Sequence, residues 1–222
     1  MKSLRLLVVA SLLGAWSVYA APAQAGVTFG RITSNSPTNV ASQLKLDLFD
    51  LTSSAAYVEF LFSWNTGALA GASITDVYFE DGTLVALDTI TNGPGVLFSR
   101  GASPGNLPGG NGASPPFNAT VGFNSDSAPP TVPNGVQPGE WLKIGFTLQS
   151  GKTALNTLNA LNNGTLRIGL HVQNINGDSD SFINKRDASF DTQVPEPASL
   201  AVWGLLSLVG CCGLHRRNRA SV

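Results

Sequence analysis

Few side chains in this 222-residue chain could do chemistry, and they fall into three groups. The first is acid–base. His171, between Leu170 and Val172, is a general acid or base only if a partner orients it. As a lone histidine on the polar side of an alternating run, it reads as solvated or hydrogen-bonded. Glu59, Asp76 and Glu80 could pair across strands as the two carboxylates of a glycosidase do, but on wet faces they read as solvation. No His-Glu-x-x-His helix and no Walker loop is present. Both cysteines, Cys211 and Cys212, lie in an apolar tail where they read as small filler. The expectation is a protein without catalytic residues, resident metal or cofactor, and not an enzyme.

The second group is the oxygen-rich run Asn174-Ile175-Asn176-Gly177-Asp178-Ser179-Asp180. Calcium loops use such alternation, but the glycine comes too early and no glutamate stands at the twelfth position. An Asn-Gly turn between two strands, with Asp178 and Asp180 free in water, is the plainer reading. The third group is aromatic. Trp64 shares parity with Val58, Phe60 and Phe62 and is expected in the core. Trp141 has the parity of Lys143, opposite Leu142 and Ile144, which makes it the candidate ligand contact.

Period-two alternation dominates the elements that would position these groups. Leu44, Leu46 and Leu48 alternate with polar residues, as do Leu142, Ile144, Phe146 and Leu148, and Leu166, Ile168, Leu170 and Val172. That is the signature of antiparallel strands with one wet face. Asp81-Gly82, between Ile74–Phe79 and Leu84–Leu87, predicts a hairpin. Further strands are expected at 27–34, 96–100 and 119–123. Lys152–Asn163 reads as a short helix stopped by Gly164. The stretches 101–116 and 126–139, dense in Gly, Pro, Ser and Asn, read as surface loops. The fold class expected for 26–190 is therefore all-β: an antiparallel β-sandwich, jelly-roll or carbohydrate-binding-module-like, with one short helix.

The two ends carry addresses. Lys2 and Arg5 precede an apolar run and Ala23-Gln24-Ala25, so 1–25 reads as a secretory signal peptide cleaved between Ala25 and Gly26. At the other end Val194-Pro195-Glu196-Pro197 leads into the uncharged stretch Ala198 to Leu214 and then Arg216, Arg217 and Arg219. The stretch 198–214 is at the lower limit of what spans a bilayer, and the arginines place its end in the cytoplasm. Pro195 and Pro197 keep the preceding backbone extended, open to a protease. Residues 26–194 hold eight basic against thirteen acidic residues, a net charge of −5, which argues against nucleic acid as a partner.

The three-part tail, 194–219, resembles the PEP-CTERM sorting signal of Gram-negative bacteria. The resemblance implies an exosortase, a membrane protease-transpeptidase, as partner beside the export machinery. It also implies a membrane-anchored intermediate that ends at the cell surface or outside the cell, in company with exopolysaccharide. Cleavage near Pro195–Pro197 is expected to remove the span. Mass spectrometry finding Arg216–Arg219 in the mature protein would overturn that. The function expected is an exported, non-catalytic surface or matrix protein. A carbohydrate-binding module using Trp141 is the alternative, and an extracellular hydrolase a distant third.

Overall fold

The computed structural model describes residues 27–49 and 56–185. The signal peptide with its Ala25/Gly26 site, and the tail with Pro195, Glu196, Pro197, Arg216, Arg217 and Arg219, lie outside them. So does the 198–214 span; among the described residues no helix is long and apolar enough to cross a membrane.

The chain is mostly antiparallel β. In order it forms β1 (Phe29–Arg31), β2 (Leu44–Phe49), β3 (Tyr57–Trp64), β4 (Ser73–Phe79), β5 (Leu84–Asn92), β6 (Phe98–Arg100) and β7 (Asn124–Ser127). Then come a single helical turn α1 (Thr131–Asn134), β8 (Leu142–Leu148), α2 (Ala154–Asn163), β9 (Ile168–Ile175) and β10 (Asp178–Asn184). One sheet runs β1-β10-β9-β4-β7-β6 and the other β2-β3-β8-β5. Their facing sides share one core, in which Phe79 of the larger sheet enters between Phe60, Phe62 and Phe146 of the smaller. Ring centroids there lie 4.6 to 6.0 Å from Phe79, the range of favourable tilted and edge contacts. Trp64 is buried, as its parity predicts, and its indole donates to the Val136 carbonyl at 2.7 Å.

The helix forms where its capping signals stand. Thr153 and Asn156 exchange side chain–backbone bonds in a capping box, and Gly164 ends the helix at φ +77°. A three-residue leucine repeat drifts about 60° per step on a 100° helix. Accordingly Leu161 is buried while Leu155 is 64% exposed.

Three sequence expectations need correction. Asp81-Gly82 makes no hairpin: β4 belongs to the larger sheet and β5 to the smaller. Glu80 N–H binds the Arg167 carbonyl, and Gly82 packs so tightly on Leu166 that a Cβ there would stand 2.7 Å from the leucine's. The turn therefore passes the chain from one layer to the other. Residues 119–123 form no strand; the strand is β7, partly within the stretch read as loop. Nor is the outer side of the larger sheet wet at its centre, because every residue of β4 is buried.

A strap of irregular chain, residues 101–123, provides that cover. Leu107 and Phe117 seat with Ile183 and Tyr78 in a second apolar cluster on the sheet's outer side. Gly169 makes room, since a Cβ there would meet Leu107 Cδ2 at 2.7 Å and Phe117 Cζ at 3.1 Å. Arg167 fastens the strap: it binds both Glu80 carboxylate oxygens at 2.6 Å and the Pro115 and Pro116 carbonyls at 2.7 Å. Bidentate, partly buried pairing of this kind is among the strongest an arginine makes.

Candidate functional site

Trp141 stands just ahead of β8, so its side chain falls on the outer side of the smaller sheet, half-buried. Gly93 of the chain following β5 lies against it; a Cβ there would come within 3.0 Å of ring carbons Cδ2 and Cε2. Glycine is required for the indole to lie flat on the backbone. Lys143, two residues on and on the same side, holds its Nζ 5.8 Å from the Trp141 ring and 5.7 Å from that of Phe49. The same Nζ is 2.8 Å from Glu59 Oε1. Tyr57 shares the face, its hydroxyl 2.6 Å from Thr89 Oγ1 above Gly145. Two aromatic rings thus flank one paired cation, with Tyr57 farther along the same side at the register of Thr147, and Phe49 remains 37% exposed. Cation–π contacts help hold Trp141 and Phe49 in place.

The acid–base residues gather elsewhere, on the outer side of the larger sheet. His171 Nδ1 lies 3.0 Å from Asp76 Oδ2, and the same oxygen accepts from Thr75 Oγ1 at 2.8 Å. Asp76 is 6% exposed, so the expectation of a solvated carboxylate fails, as it does for Glu59 and Glu80. Each found a cation or an imidazole because the faces that alternation marked as wet are partly covered. Across β4 and β7, Asp76 is paired in register with Asp126. Burial raises the Asp126 carboxyl above its usual range; the Ser103 amide, 3.3 Å from Oδ2, opposes this, and the Asp76 charge adds to it. Burial foremost, with the charges of Asp76 and Asp126, also pushes the Tyr78 phenol upward.

A raised carboxyl binds its proton more tightly in the folded state. Its stabilising contribution is therefore lost as pH rises through the folded value. Asp126→Asn keeps an acceptor for Ser103 and removes one of two facing charges. It is expected to raise stability at pH 7 by about 0.5 kcal/mol, and Tm by about 1–2 °C. The gain should shrink as pH falls toward 4. Thermal melts of both proteins across pH 4 to 8 check this, and a gain that grows in acid would contradict it.

Asp178 and Asp180 part company. Asn176-Gly177, at φ +54° and +96°, makes the two-residue turn of the β9–β10 hairpin. Asp178 is exposed, as expected. Asp180 is not free in water: it is 1% exposed and folded under the 33–36 segment. Its Oδ1 accepts from Thr33 Oγ1 at 2.9 Å and Asn35 N–H at 2.8 Å, and its Oδ2 from Ser36 N–H at 3.3 Å, with Arg31 Nη1 at 3.5 Å. A register shift between Asp178 and Asp180 turns the second carboxylate inward. Among the described residues no group of three or more His, Cys, Asp or Glu is placed to hold a metal ion.

Two strings with nucleophile spelling build no catalytic centre. Gly101-Ala102-Ser103-Pro104-Gly105 lies in the strap, not at a strand-to-helix elbow, and the Ser103 amide serves Asp126. Ser42 sits in a 3₁₀ turn three residues before Lys45, whose ammonium is paired with Asp47 at 2.8 Å. The pairing of His171 with Asp76, 95 positions apart, had no local signal; only the β4–β9 register brings them together. No protein-family model, characterised protein or solved structure matches the chain.

Proposed function

We propose that the chain is an exported, non-catalytic surface or matrix protein that associates with extracellular polysaccharide. In this reading residues 26–190 are a β-sandwich of the jelly-roll or carbohydrate-binding-module kind, delivered by the PEP-CTERM-like tail and its exosortase. The observation that supports it is the outer side of the smaller sheet, where Phe49 and Trp141 flank Lys143 and Tyr57 stands farther along against Thr89. A sugar ring offers a face of C–H groups that packs on aromatic rings and a rim of hydroxyls that needs polar neighbours. Lys143 and Thr89 border the rings and supply those neighbours.

The carboxylates speak for binding without turnover. Glu59 is committed to Lys143, Glu80 to Arg167, Asp180 to the 33–36 segment, and Asp76 to His171 and Thr75. A hydrolase would need two carboxyl groups facing one cleft. Asp76 and Asp126 are neighbours, yet the groove next to them is lined by His171 and by neither carboxylate.

Fractionation of wild-type cells and of cells lacking their exosortase tests delivery. The expected result is a tail-less protein outside wild-type cells and a membrane-held precursor in the mutant; identical distribution in both would defeat the sorting assignment. Retardation of the full chain in gels containing a panel of soluble polysaccharides tests binding, and indifference to every one would defeat it.

A further inference from the structure

We infer a second polysaccharide-binding site, on the face of the molecule opposite Trp141: an open groove of about 920 Å³ over the β9–β10 hairpin, suited to a stretch of neutral glycan chain. The inference rests on the reading above, that the exported domain binds polysaccharide, and makes the domain a two-faced clamp able to join one chain to another.

The lining chooses the ligand. His171 and Gln173 stand two apart on β9 and point the same way, and Asn174, Asp178 and Ser179 continue the surface across the turn. No lysine or arginine lines the groove, so it offers an anionic ligand no fixed positive charge. Only Val132 and Pro133 are apolar, too little for a lipid or an apolar peptide. What remains is a set of amide, imidazole and carboxylate groups, donors and acceptors side by side, the complement of adjacent hydroxyls on a sugar.

These groups are held and available. Asp76 takes His171 Nδ1, which fixes the ring and leaves Nε2 for a ligand. Asn174 donates its amide to the Gly71 carbonyl, leaving its oxygen. Gln173 Oε1 has only a 3.5 Å approach from Thr131 Oγ1, and Asp178 has no partner among the described residues. The groove is open rather than enclosed, so a polymer can run through it without presenting an end.

Gel retardation of the full chain with dextran, galactomannan and xyloglucan as neutral probes, and alginate as the anionic one, tests the site. The variants are Trp141→Ala, the pair Gln173→Ala with Asp178→Ala, and all three together. Gln173 and Asp178 are surface residues, and unchanged melting of the double variant certifies its fold. The double variant is expected to bind a neutral glycan about tenfold more weakly, the equivalent of a lost charged hydrogen bond or two neutral ones. The triple variant is expected to lose retardation. Only the wild type should raise the viscosity of the glycan solution by joining chains. Binding that depends on Trp141 and ignores Gln173 and Asp178 overturns the groove site and leaves the general reading standing. Retardation by alginate alone overturns the neutral-ligand assignment. No retardation by any probe overturns both.

Discussion

Trp141→Ala is expected to weaken polysaccharide binding by about 10- to 100-fold, the range for removing a tryptophan at the centre of a contact. The indole offers a rigid apolar face already laid flat on Gly93 and bordered by Lys143, so little ordering is needed when a sugar stacks on it. Truncation removes that face and one of the ring contacts of Lys143, whose ammonium keeps Glu59 and the Phe49 ring. The fold should tolerate the change, since Trp141 precedes β8 and lies outside the core. A loss of about 1 kcal/mol, the scale of one exposed cation–π contact with some packing, is the expected stability effect. Trp141→Phe should recover much of the binding. Affinity electrophoresis of the three proteins decides it: equal retardation of the alanine variant and wild type would remove Trp141 from the site.

Asp180→Ala should lower unfolding free energy by about 3 kcal/mol, because the carboxylate is buried and four donors converge on it. Two of those donors, Asn35 N–H and Ser36 N–H, are backbone groups, and Ser36 is buried, so its N–H is left unsatisfied once the acceptor is gone. In a domain of this size the loss corresponds to a fall in Tm of about 6–12 °C. Asp180→Asn keeps one acceptor oxygen and should cost about half as much. Urea unfolding, with the slope unchanged and the midpoint lowered, is the measurement. A midpoint within error of wild type would show that the 33–36 segment is held by other bonds. The mutation should leave polysaccharide binding through Trp141 intact, because the two residues belong to opposite sheets.

These two residues also mark what was readable in advance. Parity placed Trp141 outside and Trp64 inside, because alternation along a strand follows from backbone geometry and needs no partner. The Gly164 stop and the Asn176-Gly177 turn were equally legible, each being closed within a few residues. Asp180 was misplaced because its partners stand about 145 positions earlier, and sequence distance hides such a bond. Asp81-Gly82 was misread for a related reason. A tight glycine turn specifies that the chain reverses, not whether the next strand joins the same sheet, and here Leu166 and Arg167 occupy the place a hairpin partner would take.

Sequence alone determined the periodic strands, the helix that ends at Gly164 and the acidic charge of the central region, and it sets the expectation of addresses at both ends; all of these are read from neighbouring residues. Tertiary structure decided which faces meet water. The 101–123 strap buries β4 on its outer side, the β4–β9 register joins His171 to Asp76, and the β3–β8 register joins Lys143 to Glu59 across from the aromatic rings. Those outcomes follow from the energy of covering apolar surface and pairing buried charge, which exists only once distant segments are in contact.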